Sequence, residues 1–382
     1  MDPWSDLVGL EPGKGLAEET KRFVKNWEDN NRICPSYQLV ISDIRNFLEE
    51  LSRWLQQTEV TNQNINEYDN NLALKKEFIE EVGEEVQYKL DELFMDFEKE
   101  ASKISDYELS IHAAFAQRML HPLILCSPFI HRTFTKPLGY AGDYKMVNMM
   151  LQDPIQGSSS YACLLNSFFI NQAAAEAHRN RISILEEQLD REIRSSANKG
   201  KPFRVMNIGC GPAVEIQKYL KRNRLMNHCH FKLIDFNEET ISYTRESLQN
   251  VVVPESQGPY FEFVHKSIHE LLKEAVSGNK NVKQETFDMI YCAGLFDYLS
   301  DRVCKRLLDI YYDRLSSGGL LIVTNVHPRN PFRQFMTYLL EWHLIYRDES
   351  QMERISPKAN TKRIYTDATG VNVFLEIRKE NN

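Results

Sequence analysis

The stretch Arg204-Val-Met-Asn-Ile-Gly-Cys-Gly-Pro-Ala-Val-Glu-Ile216 leaves this chain few folds to choose from. It reads as a strand that runs into a glycine-bearing turn and leaves as a helix. Gly209 can take a turn conformation closed to other residues, and Gly211 lets backbone approach a ligand closely. Pro212 suits the first turn of the helix behind them, and the free N–H groups there suit a polar or anionic group. From about residue 200 onward, short β-branched runs alternate with amphipathic helices, the pattern of a parallel α/β sheet. Strands are expected at Phe203–Ile208, Phe231–Ile234, Tyr260–Val264, Phe287–Cys292 and Leu320–Thr324, with helices over Glu238–Leu248 and Arg302–Leu315. Arg363–Tyr365 and Val371–Ile377 flank Asp367-Ala-Thr-Gly370, so the sheet should close on an antiparallel hairpin.

The first half follows a different period. Phe47, Leu48, Leu51, Trp54 and Leu55 share one helical face, as do Phe78, Val82, Val86, Leu90, Leu93 and Phe97. Such stripes make a bundle core or a dimer seam, and a homodimer through this helical half is one expectation. Residues 61–71 are polar and Asn-rich, a connector by composition. Residues 1–16, rich in Gly, Pro and charge, are expected to be disordered. The expected division is therefore a helical domain over 17–198 and a nucleotide-type domain over 199–382.

Composition narrows the function. A net charge of −8 argues against a sequence-independent nucleic-acid binder. The seven cysteines are scattered, odd in number and never spaced C-x-x-C, which suits free thiols and offers no metal site. No apolar run approaches a membrane span, and the polar start Met1-Asp-Pro-Trp-Ser-Asp6 does not resemble a signal peptide. The expectation is a soluble, cytoplasmic protein acting on a small molecule.

Asp235 follows the second strand directly, 28 positions after Asn207. A carboxylate there can accept both hydroxyls of an adenosine ribose, or it is a solvated residue at a helix start. In this order and context, residues 200–378 resemble the class I S-adenosylmethionine-dependent methyltransferases. The glycine turn, the acidic end of strand two, Phe287-Asp-Met-Ile-Tyr-Cys-Ala-Gly294 and Leu315-Ser-Ser-Gly-Gly-Leu-Leu-Ile322 carry the likeness. It implies a Rossmann-like sheet with an antiparallel C-terminal hairpin behind a helical N-terminal domain, and S-adenosyl-L-methionine as cofactor. Gly209, Cys210 and Gly211 would then lie against the methionine part, Asp235 on the ribose and Phe236 beside the adenine. Ser267 and Ile268 would flank the adenine, and Cys292, Ala293 and Gly294 would line the floor near the sulfonium. Three departures stand out: Asn207 where the family usually has an acid, Ala213 for the third glycine, and Ser267 where an Asp is frequent.

Lys136-Pro-Leu-Gly-Tyr-Ala-Gly-Asp-Tyr144, Gly294-Leu-Phe-Asp-Tyr-Leu299 and Glu341-Trp-His-Leu-Ile-Tyr-Arg347 resemble a narrower bacterial group associated with methyl esters of hydroxylated fatty acids. The function this implies is methyl transfer, expected at oxygen, to a small acidic or hydroxylated, partly apolar acceptor. Tyr140 and Asp143 are either part of a lid over the methyl donor or, for Asp143, a helix cap. Arg181 either holds the cofactor's carboxylate or faces solvent. His327, at the carboxyl edge of the sheet, is either a general base or a loop residue. Arg347 either pairs a substrate carboxylate or salt-bridges within the chain. Phe296, Tyr298, Phe332, Phe335, Tyr338 and Trp342 could line an acceptor pocket. Two rivals are a non-catalytic cofactor sensor and a nicotinamide oxidoreductase, which would want a glycine where Val214 stands.

Overall fold

The computed structural model describes residues 16–30, 32–61, 72–196, 201–222, 229–251, 258–277 and 285–380. Residues 1–15, the expected connector over 62–71 and residues 197–200 lie outside the described residues.

Among the described residues eight α-helices come first: α1 (Leu16–Asn30), α2 (Pro35–Thr61), α3 (Leu72–Ala101), α4 (Leu109–Ile124), α5 (Pro128–Thr135), α6 (Tyr144–Leu151), α7 (Ser160–Ile170) and α8 (Ala173–Ser196). Their starts follow from sequence. Ser127 caps α5, its hydroxyl accepting from Ile130 N, with Pro128 in the first turn. Ser159 caps α7 in the same way through Ala162 N. The apolar stripes do become core: Leu48, Leu55, Leu90 and Phe97 are buried, whereas Trp54 is exposed.

The second half is a seven-stranded sheet: β1 (Phe203–Ile208), β2 (Cys229–Asp235), β3 (Tyr260–His265), β4 (Phe287–Cys292), β5 (Leu315–Val326), β6 (Thr361–Thr366) and β7 (Asn372–Arg378). The order is β3-β2-β1-β4-β5-β7-β6. The first five strands are parallel, and β7 enters antiparallel between β5 and β6. This is the class I methyltransferase fold foreseen from the motifs. The chain leaves β1 on one side toward β2 and reaches β4 on the other, so the switch point where open α/β sheets bind ligands lies at the ends of β1 and β4.

One expectation is corrected at Leu315. The helix before it, α12 (Asp301–Asp313), ends two residues earlier, and Leu315 opens β5 opposite Phe287. The remaining helices are α9 (Val214–Arg222), α10 (Glu238–Val251), α11 (Ile268–Ser277), α13 (Arg333–Leu340) and α14 (Glu349–Ile355).

Side-chain alternation divides the sheet into two faces. Val205, Leu233, Met289, Tyr291 and Ile322 pack with Leu185, Leu189 and Ile193 of α8 and with Ile216 of α9. Met206, Ile208, Ile290, Cys292 and Val323 pack on the opposite side with Leu307 and Leu308 of α12. α13 does not stay with the sheet: Phe332, Phe335, Met336 and Leu339 join Phe94, Phe97, Leu120 and Phe169 in the helical core. The two halves of the sequence thus share one packed body around α13.

Glu98 of α3 fixes that junction by accepting from Gln334 N and Phe335 N at 2.8 and 2.7 Å. Burial holds its carboxyl up at about 7 against an ordinary 4.5. The folded chain therefore binds this proton more tightly than the unfolded chain does. Its contribution to stability is largest below about 4.5 and declines as pH rises to about 7. Glu98→Gln should flatten that part of the profile in thermal melts from pH 4.5 to 8. An unaltered slope would remove Glu98 as its source.

Candidate active site

The turn after β1 is latched to β2. Gly209 N and Cys210 N both donate to Ile234 O, at 2.8 and 3.0 Å. Gly209, Gly211 and Ala213 all have left-handed backbone, φ 65, 51 and 49°. Ala213, standing in for the third glycine, therefore keeps a glycine-like conformation. Gly211 N donates to Asp235 Oδ2 at 3.1 Å, and Asn237 N donates to Asp235 Oδ1 at 3.0 Å. Asp235 is buried, and burial raises its pKa. Thr244 of α10 ties the turn from the other side through Gly211 O.

Phe236 stands half-exposed beside this carboxylate. Tyr140, from the loop ahead of α6, packs on it with ring centroids 5.0 Å apart. Burial pushes the Tyr140 phenol up to about 12. Two rings thus flank the space next to Asp235.

Deeper in, α8 and α9 present charge. Arg181 is buried, and its Nη2 lies 2.9 Å from His178 Nδ1. Burial first, then the Arg181 charge, holds His178 well below its usual pKa, so the imidazole is neutral. Among the described residues Arg181 forms no ion pair, although Asp297 and Glu215 are near enough to influence it. The guanidinium lies on Gly294, where a Cβ would meet Nη1 at 3.0 Å, and Gly294 has φ 91°. Only a glycine meets both demands.

Across from Arg181 sits a buried triad. Tyr291 Oη donates to Glu215 Oε1 at 2.7 Å, and Asn207 Nδ2 donates to the same oxygen at 3.2 Å and to Tyr291 Oη at 3.0 Å. Burial raises the Glu215 pKa, opposed by the Tyr291 hydrogen bond.

Apart from Ile234, Asn237 and Thr244, these groups line one cavity of about 360 Å³. Away from the glycine turn its wall is apolar and comes from the helical core: Ile130 of α5, Met146 and Met150 of α6, and Phe335 and Met336 of α13. Trp342 completes it, its Nε1 donating to Tyr298 Oη at 2.9 Å.

The structure brings together Tyr140, Arg181, Gly209, Cys210, Gly211, Asp235, Phe236, Ala293 and Gly294. Five other expected residues fall outside the cavity. Cys292 is one place out of phase: alternation along β4 turns it into the opposite layer and puts Tyr291 in the site. Ser267 is engaged in capping α11, its N and Oγ both donating to Glu270 Oε2. Ile268 packs with the α12-side core. His327 is buried with Nε2 3.1 Å from Glu349 and Nδ1 accepting from Arg329 N, so it shapes a loop.

Asp143 is the fifth. It caps α6 by accepting from Met146 N and takes both Nε and Nη2 of Arg132, at 2.9 and 2.7 Å. The capping alternative holds for it. Asp143→Asn strands a partly buried guanidinium and should cost on the order of 2–3 kcal/mol in denaturant melts. Nucleoside binding by titration calorimetry should remain intact. Lost binding at wild-type stability would return Asp143 to the site.

Arg347 likewise is internal: it is buried and donates to Phe296 O, Leu299 O, Asn325 Oδ1 and Asp301 Oδ1. Of the six candidate aromatics, Tyr298, Phe332, Phe335 and Trp342 line the cavity, while Phe296 and Tyr338 are core. Among the described residues no group of three or more His, Cys, Asp and Glu is placed to hold a metal ion, and no helix is long and apolar enough to cross a membrane. Sequence reasoning missed Glu215, Tyr291 and Asp297. Glu215 had a signal: an acid two residues into the helix behind a glycine turn that lacks its usual acid.

No protein-family model matches the chain, and no curated protein sequence does. Solved structures resemble it distantly. One, described as a possible exported protein from Bordetella parapertussis, is 16% identical over 62% of this chain and 79% of its own, with a TM-score of 0.48. Magnesium protoporphyrin IX methyltransferase (ChlM) from Synechocystis, solved with bound SAH, is 10% identical over 66% and 98%, TM-score 0.43. The N-methyltransferase NodS from Bradyrhizobium japonicum is 16% identical over 54% and 98%, TM-score 0.35. Likenesses this distant assign neither substrate nor activity.

Proposed function

We propose that this chain is an S-adenosylmethionine-dependent methyltransferase that modifies an oxygen of a small, largely apolar acceptor. The observation that carries the reading is Arg181: a buried cation without an ion-pair partner among the described residues, in the same cavity as the glycine turn and Asp235. Buried charge without a partner is costly, and an anionic ligand group would offset it. The residues fit the cofactor in order. Arg181 would take the carboxylate, Gly209, Cys210 and Gly211 would lie along the methionine part, and Ala293 and Gly294 would floor the sulfur. Asp235 would accept the ribose hydroxyls, and Phe236 and Tyr140 would hold the adenine.

When bound, S-adenosylmethionine supplies a methyl group on a leaving group that is already activated. The chain's own work is then to hold an acceptor in line and to exclude water. Met146, Met150, Phe335 and Met336 give it an apolar, adaptable wall for that purpose. A carboxylate acceptor needs no base at neutral pH, which suits a cavity in which His178, the only lining histidine among the described residues, is made a weak base by burial and by Arg181. These features support a carboxylate on an aliphatic chain, such as a hydroxylated fatty acid. Incubation with methyl-tritiated S-adenosylmethionine and hydroxylated fatty acids of increasing chain length tests this. Transfer should rise with length; label on none of them, or equally on acetate, would refute the acceptor class.

A further inference from the structure

We propose that Glu215 receives the ammonium group of the cofactor's amino-acid part, so that the cavity recognises a zwitterion through one buried cation and one buried anion held apart. The inference rests on the methyltransferase reading and adds a residue to it.

Glu215 is 6% exposed and lines the cavity. Its hydrogen bonds from Tyr291 and Asn207 fix one oxygen, Oε1, and come from neutral groups that cannot cancel a charge. Oε2 takes no part in that triad. The charged groups that act on Glu215 are Arg181 and Lys218, and neither forms an ion pair with it in the described structure. Arg181 and Glu215 thus line the same cavity as Asp235 and Asp297, and among the described residues neither Arg181 nor Glu215 forms an ion pair. An α-amino acid carries the complementary charges on one carbon and can satisfy both at once. Asn207, on the strand, can only hydrogen-bond. The carboxylate has in effect moved from strand to helix, and Asn207 has become one of the two groups that orient it.

The same arrangement selects against a dinucleotide. A pyrophosphate laid on this helix start would bring its negative charge against Glu215 in a desolvated space, where like charges repel strongly.

Titration calorimetry of the full chain with S-adenosylhomocysteine and with 5′-methylthioadenosine, which lacks the amino-acid part, separates the possibilities. Glu215→Gln should weaken S-adenosylhomocysteine roughly 10- to 100-fold, the effect of removing a charged partner. It should leave 5′-methylthioadenosine within about twofold, the precision at which such affinities are compared. Glu215→Asp should recover part of the loss. If Glu215→Gln binds S-adenosylhomocysteine like wild type, or loses both ligands equally, the proposal is wrong while the cofactor reading survives. If wild type binds neither ligand, the cofactor reading falls and this proposal with it.

Discussion

Arg181→Met should weaken S-adenosylhomocysteine by roughly two orders of magnitude, the scale of a charge-assisted contact in a desolvated site. The ligand-free protein should melt at the same temperature or higher. The two halves of this expectation have one cause. Arg181 is buried, rests on Gly294 and a neutral His178, and has no ion pair among the described residues. Replacing a buried charge that has no ion-pair partner among the described residues removes its desolvation cost, while Asp297 and Glu215 lose only an attraction across a longer distance. A structural arginine would behave oppositely, losing stability first and affinity only as a consequence. Calorimetry and thermal melting on one preparation distinguish them. A drop of many degrees with affinity retained would remove Arg181 from the ligand.

Gly211→Val should abolish binding, with a loss beyond 100-fold, the scale of excluding a ligand outright. A Cβ at Gly211 meets no other residue's heavy atom within 4 Å, and Gly211 lines the cavity, so on the proposed reading a side chain there competes with the ligand for space. With φ 51° a side chain there is strained, so the ligand-free protein should lose on the order of 1–2 kcal/mol. Gly211→Ala sharpens the test. Ala213 holds nearly the same backbone two residues on, so an alanine can adopt it. The alanine variant should fold almost normally and still bind poorly, since its methyl occupies ligand space. Normal binding by both variants would place the ligand elsewhere.

Much of the fold was legible because it rests on local patterns. Phe203–Ile208 and Phe287–Cys292 have the strand bounds that composition suggests. The hairpin around Gly370 closes the sheet antiparallel, as its turn residues imply. Leu315 was misplaced because an apolar residue between helix and strand satisfies either period. Gly209, Gly211, Asp235 and Gly294 meet at the cavity because each sits at or just beyond the end of a strand, a placement legible from position alone. Cys292 failed by a single residue: alternation reverses every side chain, so Tyr291 faces the cavity and Cys292 the far layer. Asp143 and Ser267 failed because short polar residues cap helices as readily as they bind ligands. The apolar wall of the cavity was hardest. Ile130 and Phe335 lie about two hundred positions apart and meet only because α13 leaves the sheet for the helical core, which no local period announces.

On the proposed reading, the cavity at the ends of β1 and β4 is built for an adenosine carrying an amino acid. Titration of the purified full chain with S-adenosylhomocysteine and, separately, with NAD tests it most directly. One-to-one binding of S-adenosylhomocysteine at micromolar concentrations, worth about 8 kcal/mol, is the expected result, with no heat from NAD. Saturable binding of NAD, or silence from S-adenosylhomocysteine up to millimolar concentration, would contradict it.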